Sequence, residues 1–130
     1  MTSSSTSALL DEQRDHLVAG FSRKMRSDPY LEVFQRIGIA ELEELIRSIL
    51  TGLSAYIDGD DGQIQRSYDL VGNTCFQLSI PLLEASYALF LLRDKVVALL
   101  VSGQNEDNVD ECTRATRFFD QLVLEMLRSY

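Results

Sequence analysis

Two long apolar seams in the second half of the chain limit its fold more than any other feature. Leu82, Ala85, Leu89, Leu92, Val96 and Leu99 recur at steps of three and four. Val109, Cys112, Thr116, Phe119, Val123, Met126 and Tyr130 do the same. That alternation puts each set on one narrow stripe of an α-helix, as in helices packed lengthwise against near-parallel neighbours. The second seam is still in phase at the last residue, with no glycine, proline or cap after it. This predicts a helix that continues into a downstream segment.

The rest of the chain is also helical in pattern. A Ser/Thr-rich stretch over 1–6 reads as a disordered tail, and Ser7 or a neighbour as the cap of a first helix to about Ser27. Leu10, Leu17, Phe21 and Met25 form its inward face. Asp28-Pro29 stops that helix, because the residue before a proline is pushed out of the helical region. Pro29 suits the first position of a short second helix to about Ile37, with Leu31, Phe34 and Ile37 on its apolar side. A third runs from near Ala40 to Ile57, acidic in its first turn as the helix dipole favours. The run Asp58-Gly59-Asp60-Asp61-Gly62 is a turn. A fourth helix follows over 63–77, and Ser79-Ile80-Pro81 breaks it before a long fifth one to about Ser102. Gly103 closes the fifth, and Asn105 or a neighbour caps the last. No segment alternates with period two, so the fold class is all-α: a bundle of about five to six helices, the last two long. Residues 7–130 form a single domain.

Charge narrows the function classes. Twenty acidic and twelve basic residues leave a net −8, which disfavours a nucleic-acid or anionic-membrane surface. Arg23, Lys24 and Arg26 cluster, as a solvated helix surface does. Cys75 and Cys112 sit in separate apolar segments with no ligand or disulfide spacing, which fits a reduced, cytoplasmic setting. The N-terminus lacks the basic and apolar regions of a secretory signal. The most apolar stretch, 78–101, is interrupted by Glu84, Arg93, Asp94 and Lys95, so it predicts a buried core helix in a soluble chain.

Candidate chemistry is sparse. His16, the only histidine, has a glycine four residues on, the spacing of histidine phosphotransfer bundles. Those modules want a basic residue where Ala19 stands, and place their histidine on a central helix. The aspartates of 58–62 suggest calcium, but an EF-hand count from Asp58 puts Gln63 and Asp69 where glycine and glutamate are required. A haem-binding or small-ligand globin-type sensor would need an inward His, Cys, Met or Tyr, for which Cys75, Tyr68 and Tyr87 are conceivable. A Ser or Cys nucleophile would lack a base, and there is no Gly-rich phosphate loop. The expectation is a chain without catalysis, metal or cofactor.

The stretch VGNTCFQLSIPLLEASYALFLLRDKV, residues 71–96, resembles the N-terminal domain of stressosome RsbR-type co-antagonist proteins, relatives of which are fused to histidine kinases and other outputs. Gly72, the polar break from Gln77 to Ser79, Glu84, the Ala/Leu/Phe core and Arg93 carry the likeness. Upstream, FSRKMRSDP followed by AELEELIRSILTGL fits the same layout. The resemblance implies a globin-like fold without haem, a bacterial cytoplasmic setting, a homodimer formed by the last two helices, and a final helix leading to an output domain. On this reading Leu89, Leu92, Val96, Phe119, Val123 and Met126 would face a second copy. A ligand pocket would lie between 63–77 and 81–102, near Tyr68, Thr74, Cys75 and Tyr87. The expected function is a non-catalytic sensory input and dimerisation domain, with His16 phosphotransfer or a haem or small-ligand sensor as the alternatives.

Overall fold

A computed structural model describes residues 5–103 and 109–129. Among these the chain is all-helical, with no strand. The helices are α1 (Ser5–Ser27), α2 (Ile39–Ile57), α3 (Gln63–Gln77), α4 (Leu82–Gly103) and α5 (Val109–Ser129). The expected cap at Asn105 and the seam residue Tyr130 lie outside the described residues.

Helix α1 already includes Ser5, so Ser7 does not cap it. The Ser7 hydroxyl reaches across to the end of α2, donating to the Asp58 carboxylate oxygens at 2.9 and 3.0 Å. At the other end Arg26 donates to the Ile37 carbonyl at 2.9 Å. The two helices therefore run antiparallel, and Leu10, Leu17, Phe21 and Met25 are buried as their spacing requires.

The second helix expected over 29–37 is reduced to a 3₁₀ turn at Phe34–Arg36. Nine residues are too few to repay helix nucleation, and side chains take over the backbone donors. Asp28 Oδ1 accepts from Tyr30 N at 2.9 Å. Glu84 Oε1, from the first turn of α4, accepts from Val33 N at 2.7 Å and Phe34 N at 3.3 Å. Leu31, Phe34 and Ile37 are buried all the same. Their strict spacing of three is what a 3₁₀ turn aligns along one edge.

Glu84 thus ties the connector to α4. Glu84→Leu leaves two backbone N–H groups without their acceptor, and is expected to cost about 1–2 kcal/mol in urea unfolding. Glu84→Gln, which keeps an acceptor oxygen, should recover part of it. Equal stability of Glu84→Leu and the parent would show that water replaces the carboxylate at no cost.

The turn after α2 needs glycine at Gly59, whose φ of 112° is a left-handed value. Arg114 of α5 closes the end of α2 from the side. It donates to the Tyr56 carbonyl at 2.6 Å and to Asp61 at 2.9 Å, with its guanidinium 4.3 Å from the Tyr56 ring centre. α2 and α3 approach closely at Gly52, where an added Cβ would sit 2.5 Å from Ser67 Oγ. α3 ends at the expected break: Ser79 takes a φ of 54°, and Ile80 N donates back to the Cys75 carbonyl at 2.9 Å. α4 and α5 pack antiparallel, with Leu82 and Leu83 of α4 lining a shared groove with Val123 and Leu127 of α5. The Arg93 guanidinium meets Asp120 across the pair at 3.0 Å. No helix among the described residues is long and apolar enough to cross a membrane.

Candidate functional site

The seams on α4 and α5 are buried inside one chain, and Ala85, Leu89 and Leu92 of the first face α1, α2 and α3. Leu89, Leu92, Val96, Phe119, Val123 and Met126 are all buried, so they form no exposed stripe for a second copy to cover, and only Val123 borders an open groove. This corrects the expected interface. A 3/4 pattern says that a stripe is covered, and here the cover is the chain's own core.

What the seams leave outside is a different strip of the same two helices. Leu83 is 82% exposed, Leu127 54% and Phe90 38%. Leu82, Leu83, Ser86, Phe90, Val123 and Leu127 line an open groove of about 260 Å³. Single exposed leucines carry no message, but a contiguous apolar patch marks a contact surface. The Ser86 hydroxyl at its floor is buried and has no hydrogen-bond partner among the described residues. Buried hydroxyls are ordinarily satisfied, so this one calls for a partner.

Charges at the strip are already neutralised. Arg93 pairs with Asp120 and lies 4.9 Å from the Phe90 ring centre, and Arg128 pairs with Glu125 at 3.3 Å. The sequence carried a signal for this face, since Leu83, Tyr87, Leu91 and Val97 flank the seam and make α4 apolar on more than one side. Phe90 and Leu127 were missed, because each directly follows a seam residue, Leu89 or Met126, and so points about 100° away from the seam.

The four residues expected to line one pocket do not meet. Cys75 is on the wall of an apolar void in the core, beside Ala85 and Ala88. Thr74 lines an open groove between α2 and α3, with Glu41 and Leu70. The Tyr68 ring lies over Gly72 of its own helix, 3.7 Å from where a Cβ would be. Tyr87 lines a separate open pocket with Tyr30, Pro81 and Leu83. It donates to Asp28 Oδ2 at 3.0 Å and meets Tyr30 edge-on, ring centres 5.8 Å apart. The hydrogen bond to Asp28, then partial desolvation, raises the Tyr87 phenol above its ordinary value of 10.0.

The other chemical readings find these surroundings. His16 is exposed on α1, and an added Cβ at Gly20 would meet nothing within 4 Å, so no close approach demands that glycine. In the acidic turn each carboxylate turns to a different partner: Asp58 to Ser7, Asp60 to Gln63 and Arg66, Asp61 to Arg114. The Gln63 amide first, aided by Arg66 and the Gly62 N–H, holds the Asp60 carboxyl below the usual range. No group of three His, Cys, Asp or Glu side chains that could hold a metal ion occurs among the described residues. The void at Cys75, about 30 Å³, has room for two or three atoms and none for a porphyrin.

Compared with known proteins, the chain matches no family model, no curated protein and no solved structure.

Proposed function

We propose that the chain is a non-catalytic input and dimerisation module of a bacterial signalling protein, acting in the cytoplasm with the globin-like plan that its likeness to RsbR-type N-terminal domains implies. The observation that carries this reading is the apolar strip on the outer side of α4 and α5, with the unsatisfied Ser86 hydroxyl beneath it. A second copy of the chain is the occupant that fits. At a net −8, most of the surface would repel another copy, whereas the charges bordering this strip cancel within each protomer. The strip runs over Leu82–Phe90 and Val123–Leu127, about 12 Å of helix, which fits a contact at the small end of the interface range.

Two such pairs would form a four-helix contact about a twofold axis. Leu127 near the end of α5 lies beside Leu83 at the start of α4, so a shift of an ångström or two at this contact would be passed along the helix that leads to an output domain.

Sedimentation at several concentrations tests the reading. The parent chain should be dimeric at high micromolar concentration, and Leu83→Glu combined with Leu127→Glu should be monomeric with unchanged helical circular dichroism. A parent that stays monomeric, or a double variant that still dimerises, would reject the strip as the interface.

A further inference from the structure

We propose that the void lined by α1, the 3₁₀ turn, α2, α3 and α4 is a binding site for a small apolar molecule of about diatomic size, reached past Leu45. The void measures about 30 Å³, roughly twice or more the ~10–15 Å³ that a single water needs. Phe21, Phe34, Ile49, Cys75, Ala85 and Ala88 stand on its wall. No lining residue offers a side-chain oxygen or nitrogen. A trapped water requires two to four polar partners, so the space excludes water and suits an apolar occupant such as dioxygen or one xenon atom. Such an occupant gains the dispersion contacts that the wall atoms lack across an empty gap.

The void has a sequence cause and a way in. α4 places alanines at 85 and 88, one helical step apart on its inward face, where leucines follow at 89 and 92. Two short side chains on successive turns leave a space that a leucine or isoleucine would fill. Leu45 of α2 is the one lining residue that is not fully buried. It also lines the open groove between α2 and α3, with Ala40, Leu70 and Thr74. A single side chain therefore separates the interior from solvent, and rotation of partly exposed side chains is fast.

The site goes beyond the proposed dimer and is independent of it, so the two readings fail separately. Methyl carbon–proton spectra of the whole chain under rising xenon pressure provide the test. Saturable shifts are expected at the Ala85, Ala88, Val71 and Leu92 methyls, with dissolved dioxygen broadening the same signals. Ala88→Ile fills the space and should abolish both effects. Ala85→Val serves the same purpose if the first variant does not fold. Leu45→Ala should keep the shifts and speed exchange between free and bound xenon. Shifts that never saturate, that appear only at Leu83 and Leu127, or that persist in the filled variants would overturn the proposal.

Discussion

Val96→Asp is expected to unfold the chain, not to yield a folded monomer. Val96 is 0% exposed, in the middle of the α4 seam. A carboxylate there has no partner and must either stay charged in an apolar interior or take up a proton far from its ordinary pKa. Shifts of 3–5 units are the scale for such buried groups, or about 4–7 kcal/mol at 1.36 kcal/mol per unit. The lost valine burial adds about 1.5–3 kcal/mol. A domain holds only ~5–15 kcal/mol in total, so most or all of the folded population disappears at neutral pH. Circular dichroism with sedimentation decides it. A helical, monomeric Val96→Asp chain would mean that the seam faces a second copy after all.

Phe118→Ala carries the second large effect. Phe118 is 0% exposed and lies where α5 crosses α2. Its ring centre is 5.6 Å from that of Tyr56 and 5.5 Å from that of Phe119, the latter at a near-perpendicular 87°. Its ring edge also comes within 3.8 Å of a Cβ built on Gly52. The flat wall of Gly52 and the ring fit each other, and truncation leaves a void that three elements would have to close. Phenylalanine-to-alanine changes at such sites cost about 3–5 kcal/mol. Urea unfolding should show a lower midpoint at an unchanged slope. A loss below about 1 kcal/mol would mean that Tyr56 and Phe119 collapse into the space.

Helical pattern made most of the elements legible. The turn at 58–62, the break at 79–81 and the long final helices fall where spacing, glycine and proline put them. The 29–37 segment was misjudged because its apolar residues recur every three positions, a spacing that α-helices and 3₁₀ turns share at short length. Only the Glu84 carboxylate, fifty residues away, distinguishes the two. The direction of the seams was illegible for a different reason. Periodicity reports burial of a stripe and contains no information about which chain buries it.

The pocket residues could have been sorted from sequence alone. Thr74 and Cys75 are neighbours, and adjacent helical residues diverge by about 100°. One faces the groove and the other the core, as that angle requires. Phe118 was absent from the predicted seam because α5 carries a second ridge of Ala115, Phe118 and Leu122, all buried. That ridge meets α2 and α3, and the narrow 3/4 stripe alone does not include it.

Three consecutive residues in the first turn of α4 point in three directions. Leu83 stands in the solvent, Glu84 clasps the connector that carries Phe34, and Ala85 borders the interior gap that Phe34 also walls. The three neighbours can therefore be changed one at a time: position 83 alters the outer strip, 84 the grip on the connector, and 85 the interior gap.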